Sequence, residues 1–164
     1  MRNRGFTLIE LVVTVAIVAI LATIALPMLQ LSVQRVKENE LRANLRQIRE
    51  ALDAYKKVAD TENGPIKKTV GQSGYPPNLD ILVNGVVDEK DPNKHKIRFL
   101  RRLPLDPMQP SDQGNNKSGD DLLNNWGLRS YNSESNSPAE GDDVYDVYSQ
   151  SKQIGINGIP YNQW

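Results

Sequence analysis

Met1-Arg2-Asn3-Arg4-Gly5-Phe6-Thr7-Leu8-Ile9-Glu10 leads straight into Leu11 to Gln34, 24 residues without an Asp, Glu, Lys or Arg. A helix of that length rises roughly 36 Å at about 1.5 Å per residue, enough to cross a hydrocarbon core of about 30 Å. A cleaved secretory signal has an apolar region of only about 7–15 residues, followed by a small-residue cleavage site. This run is longer and passes from Gln30 through Arg35 into a second helical pattern, so a spanning helix is the better reading. Arg2 and Arg4 stand before it, and the positive-inside rule then leaves the N-terminus cytoplasmic and exports the rest. Glu10 is the exception in this segment. An ionisable group near the start of a membrane helix is costly and marks a functional position, unless it only snorkels to the interface.

Beyond Gln34 the chain is polar. Leu41, Leu45, Ile48, Leu52 and Tyr55 recur at steps of four, three, four and three, one apolar stripe on a helix. Arg42, Arg46, Gln47, Arg49, Glu50, Asp53 and Lys56 form its solvated face. Asn63-Gly64-Pro65 stops the pattern, so one helix is expected over Phe6 to Ala59, roughly 80 Å long at about 1.5 Å per residue. A short helix or turn follows over Leu79 to Val83, then a charged connector over Asp88 to Lys96 and a packing segment over Ile97 to Leu103. Residues 109–125 are rich in Gln, Ser, Asn, Asp and Gly and read as an exposed loop. Trp126 to Asn132 and Val144 to Ser149 read as antiparallel strands, with Ile154 to Ile159 as a short edge strand. The fold class is therefore α+β. A long N-terminal helix, transmembrane first and amphipathic after, packs on a small C-terminal antiparallel sheet.

The 164 residues carry 20 basic and 20 acidic side chains and no cysteine. The charge balance argues against a general nucleic-acid binder, and Arg101-Arg102 is too small to be a nucleic-acid patch. A disulfide framework or thiolate metal site is excluded. The mean hydropathy of −0.53 averages two regions suited to different solvents. His95 is the single histidine and lies in the charged connector. No phosphate loop, nucleophile elbow, dinucleotide fingerprint or zinc pattern is present, so the chain reads as a non-enzyme.

Arg4-Gly5-Phe6-Thr7-Leu8-Ile9-Glu10, with its apolar continuation, resembles the processing motif of type IV pilins and type II secretion pseudopilins. The resemblance implies that a prepilin peptidase cuts between Gly5 and Phe6 and methylates the new amine at Phe6. Glu10 then stands fifth in the mature chain, and Pro27 twenty-second, where proline is common in the family. The implied chemistry is coherent: cutting creates a cationic amine, which the Glu10 carboxylate of an adjacent subunit neutralises where water is scarce. Leaving such a buried charge unpaired costs roughly 3–5 kcal/mol, so Glu10 acts as a register device for assembly. Pro27 removes a helical hydrogen bond and marks either an ordinary kink or a segment that unwinds in the fibre.

Tyr75-Pro76-Pro77, Phe99-Leu-Arg-Arg-Leu-Pro-Leu-Asp-Pro107 and Asp146-Val147-Tyr148-Ser149 fall in the order seen in the major, or G-type, pseudopilin of type II secretion. That likeness covers almost the whole chain. It implies residues 1–5 as leader, 6–34 as transmembrane and polymerisation helix, and 35–164 as the exported, periplasmic domain of an inner-membrane protein. It further implies a helical homopolymer, the periplasmic pseudopilus, that works with minor pseudopilins, an assembly platform and its ATPase to move proteins across the outer membrane. Glu10 favours a shaft or sub-tip position, because one tip-proximal type commonly lacks that acid. The alternatives are a type IV pilin or competence-type pilus subunit, or a membrane-anchored binding module that never polymerises. Many pilins close a C-terminal loop with a disulfide, so the lack of cysteine leans against the pilin reading.

One departure concerns calcium. Major pseudopilins follow the Asp-x-Tyr-Ser strand with an acidic, glycine-rich calcium loop, but residues 150–164 here contain no carboxylate side chain. Calcium takes about six to eight oxygens, usually including carboxylates, so no metal site is assigned. Asp142, Asp143 and Asp146, or Asp120 and Asp121, are the candidates for a different calcium site, and a solvated acidic loop is their simpler reading.

Overall fold

In a computed structural model, the described residues are 5–69, 71–109 and 125–164, with residues 24–27 as backbone alone. Arg2, Arg4, Asp120, Asp121 and most of the expected 109–125 loop lie outside them. The chain forms two compact units, one up to Lys37 and one from Glu38 to Trp164. Helix α1, Leu8–Ala59, has 52 residues and runs through the boundary.

In the first unit every described side chain from Gly5 to Val33 is exposed. The Thr14 and Thr23 hydroxyls donate to the carbonyls of Leu11 and Ile20, at 2.8 and 2.7 Å. Both threonine hydroxyls are thus satisfied by the helix itself, as a lipid environment requires. The helix is long and apolar enough to cross a membrane.

The second unit is built on the other half of α1. Leu41, Leu45, Ile48, Leu52 and Tyr55 are all buried, joined by Ala51 and Ala59. They pack with Leu79, Leu82, Leu100, Trp126, Val144, Val147 and Tyr161 in one core. Helix α2, Asp80–Asn84, sits where a short helix was expected and buries Leu82. Its Leu82 carbonyl accepts from the Phe99 and Leu100 amides, fixing the packing segment against it.

Strands β1, Val86–Val87, and β2, Lys96–Ile97, pair antiparallel. The charged connector Asp88 to Lys96 therefore closes a hairpin, which the sequence reading lacked. Its turn is held by the Asp91 carboxylate, which accepts from the Asn93 amide at 2.8 Å and contacts the exposed His95 ring.

Strands β3, Trp126–Arg129, and β4, Asp146–Ser149, form a second antiparallel pair, from Trp126 opposite Ser149 to Arg129 opposite Asp146. Both are shorter than expected. The Ser130 amide donates to Ala139 and the Val144 amide to Pro76, so neither continues the ladder. Gly127 lies directly opposite Tyr148, and a Cβ there would fall 2.3 Å from the tyrosine ring. The edge strand over Ile154 to Ile159 is not formed. A single antiparallel bridge joins Ile154 to Pro160, because Gly155 and Gly158 fold the segment into a turn, with Gly158 at φ +78°. A 3-10 helix, Tyr161–Gln163, ends the domain.

Candidate functional site

The helix begins two residues later than expected because Thr7 caps it. Its hydroxyl accepts the Glu10 amide at 3.3 Å, and the Glu10 carboxylate reaches back to the Thr7 amide at 3.5 Å. This Thr-x-x-Glu arrangement is a capping box, which satisfies two amide donors that the first helical turn leaves unpaired. Glu10 also places negative charge in the first turn, where the helix dipole favours it. The sequence reading missed Thr7, although the spacing from Thr7 to Glu10 was visible.

Glu10 and Phe6 are both exposed, Phe6 at 87 %. A Cβ on Gly5 would meet nothing within 4 Å, so no packing within the chain demands glycine there. Pro27 lies within α1, and the helical backbone is continuous through it. The geometry thus presents an exposed backbone segment at Gly5 and Phe6, an exposed acid and an exposed apolar helix surface.

In the second unit, the three C-terminal motifs meet around β4. The Pro76 carbonyl accepts the Val144 amide at 2.8 Å. Buried Asp106 accepts from the Met108 amide at 2.8 Å and the Ser149 hydroxyl at 2.6 Å, tying the Leu-Pro-Leu-Asp-Pro segment to the end of β4. Asp146 pairs with Arg49 of α1 at 2.7 Å. Arg49 also donates to the carbonyls of Val147 and Trp164, so it is an anchor rather than part of a purely solvated face.

The remaining acids are placed as follows. Asp142 is exposed. Asp143 is half-buried and accepts from the hydroxyls of Ser73 and Ser130 and from the Tyr131 amide. Burial alone would push its carboxyl up, but those three hydrogen bonds outweigh it and hold the group below the ordinary aspartate value. Asp143 is therefore a structural tie and not a solvated loop residue. Among the described residues, no three His, Asp or Glu side chains gather as metal ligands.

Glu38 was the other residue missed. It is only 4 % exposed, and its carboxylate accepts from the Ile156 amide at 2.7 Å and the Tyr161 hydroxyl at 3.0 Å. Extending the four-three spacing back from Leu41 by three residues lands on Glu38, so the stripe itself carried the signal.

A capped, apolar N-terminal helix continuing into an α+β domain fits a pilin-like, membrane-anchored subunit. Comparison with known proteins narrows this. Residues 1–26 match the prokaryotic N-terminal methylation motif. Type II secretion system core protein G of Pseudomonas aeruginosa is 34% identical over 107 residues, 65% of this chain and 68% of that protein. Its counterpart in Aeromonas hydrophila is 26% identical over 152 residues, 79% and 96% of the two chains. A type IV major pilin of Myxococcus xanthus is 53% identical over 45 residues, but these are 27% of this chain and 20% of the pilin. No solved structure gives a significant match. The chain belongs to the type II secretion core protein G family, the pseudopilins. That family is structural, in keeping with the reading as a non-enzyme.

Proposed function

We propose that the chain is the shaft subunit of a type II secretion pseudopilus, polymerising through its N-terminal helix to drive export across the outer membrane. The observation that carries this reading is Glu10, an exposed acid at the head of an exposed apolar helix in a chain of the core protein G family. Prepilin peptidase cuts between Gly5 and Phe6, and methylation follows at Phe6. Residues 1–5 are the leader, 6–34 the membrane and polymerisation helix, and 35–164 the periplasmic domain, with the N-terminus cytoplasmic. On release of the leader the Phe6 amine becomes a cation one turn from Glu10. Within one chain the Glu10 carboxylate is engaged by the capping box at 3.5 Å, a long and therefore weak contact. A neighbour's amine offers a full opposite charge in a low-dielectric setting, where the attraction is far stronger. Exchange of the first contact for the second rewards a neighbour at the correct stagger. Pro27 marks the part of α1 that can loosen as subunits leave the bilayer.

The partners are other copies of the chain, minor pseudopilins, the inner-membrane platform and its ATPase. Deleting the gene tests this reading: folded exoproteins should accumulate in the periplasm, with motility and adhesion unchanged. Normal export with lost motility, adhesion or DNA uptake would instead support the pilus alternative, and no change in any of them a non-polymerising module. Replacing Gly5 should leave a membrane chain heavier by the leader; a wild-type mass contradicts the cleavage reading.

A further inference from the structure

The pseudopilin resemblance implies calcium in the loop after β4, and the residues present do not fit it. Between 150 and 164 no side chain is a carboxylate, the oxygen donors among them being amides and hydroxyls, and several of the loop's oxygens already accept hydrogen bonds within it. The Asn157 side-chain oxygen accepts the Ile159 amide. The carbonyls of Ser151, Gln153, Gly155 and Ile159 accept the amides of Asn162, Tyr161, Gly158 and Gly155. The Asn162 side-chain oxygen is buried without a partner, but one neutral oxygen is far from the six to eight or so that calcium takes. The carboxylate that does reach the loop comes from α1, and the loop turns two donors toward it, the Ile156 N–H and the Tyr161 O–H. Converging donors solvate an anion and repel a cation.

We propose that the buried Glu38 carboxylate holds residues 150–164 in place of a divalent cation, so that the exported domain keeps its fold without calcium. One carboxylate oxygen joins positions 118 and 123 residues away in sequence. Two further groups of α1 reinforce it: Arg49 donates to the Trp164 carbonyl at 3.1 Å, and the Arg42 guanidinium lies 4.4 Å from the Trp164 ring centroid. Tyr161 and Trp164 pack edge to face, which couples the Glu38 contact to the Arg49 contact. The roles are inverted relative to a calcium loop: there the loop supplies the negative charge, and here the helix does.

The test uses the full-length chain in detergent micelles, with excess calcium or with excess chelator. The expected result is one unfolding midpoint and one Ile156 amide exchange rate under both conditions. Glu38→Ala should lower the midpoint and speed Ile156 exchange by about tenfold or more, as expected for losing a hydrogen bond to a buried charged group, with no rescue by calcium. Glu38→Gln keeps an acceptor oxygen and should fall between the two, and Tyr161→Phe should lower the midpoint less than Glu38→Ala. A wild-type midpoint that drops on chelation and returns with calcium would overturn the proposal. So would wild-type exchange at Ile156 in Glu38→Ala. If Glu38→Ala does not fold, the wild-type pair of conditions still decides the cation question and Tyr161→Phe the clasp.

Discussion

The stretch of α1 up to Lys37 and the stretch from Glu38 on belong to one helix but meet different surroundings. Up to Val33 the described apolar side chains stand exposed, Ile17 at 53 % among them, and the acid Glu10 is exposed as well. From Glu38 on, the apolar residues are gathered on one stripe and covered, and the acid on that stripe is buried with two donors supplied by the same chain. The second half is complete within the chain, whereas the first leaves an apolar surface and an acid for lipid and, on the reading proposed above, for other copies. The lesson is that identical residue types on one helix take opposite roles according to which partner satisfies them.

That contrast can be broken by matched truncations. Ile48→Ala in the covered stripe should cost about 2–5 kcal/mol of domain stability through the lost burial and the cavity left behind. Ile17→Ala, the same change in the exposed half, should leave the domain's denaturant midpoint at the wild-type value. Equal effects at the two sites would mean that the halves are not distinct. Gly127→Ala tests the sheet that the second half packs on. A Cβ 2.3 Å from the Tyr148 ring must displace it, and overpacking of this kind costs about 1–3 kcal/mol in chemical denaturation.

Arg49→Ala should destabilise by about 1–2 kcal/mol, since it removes a partly exposed ion pair together with two hydrogen bonds to carbonyls. The effect should shrink in an Asp146→Asn background if the pair is the main contributor. The smallest effect expected is the pH dependence from Asp143. Its folded pKa lies below the ordinary 3.8, so the folded state holds this proton less tightly than the unfolded chain does. The stabilisation is present above that value and is lost as pH falls through the lowered folded pKa. Acid unfolding of Asp143→Asn should accordingly be shallower than wild type below pH 3.8.

Much of this architecture was legible in the residues. The charge-free run after Glu10 and the four-three spacing from Leu41 to Tyr55 are strong, local, periodic signals, and α1 follows them to Ala59. Trp126 and Val147 fall on strands because aromatic and β-branched runs lie between turn signals. The hairpin of Val86–Val87 with Lys96–Ile97 was not legible, since two-residue strands carry no period and their turn is a run of charges. The strand ends were set by backbone partners outside the strand pair, Pro76 for Val144 and Ala139 for Ser130. Arg49 read as part of a solvated face because a helix face alone does not reveal what β4 and the C-terminal residues bring to it, whereas Glu38 was missed although the stripe extends onto it. At the N-terminus the acid was plain, while its local partner Thr7 was overlooked in favour of the family motif.

The most direct test of the proposed account is Glu10→Ala in the full-length chain, with two readouts on the same preparation: the unfolding midpoint of the domain, and the yield of assembled fibre. The account predicts an unchanged midpoint, because Glu10 contributes nothing to the core, and loss of fibres, because the neighbour's amine is left without its counter-charge. Fibres at wild-type yield and stagger would contradict it.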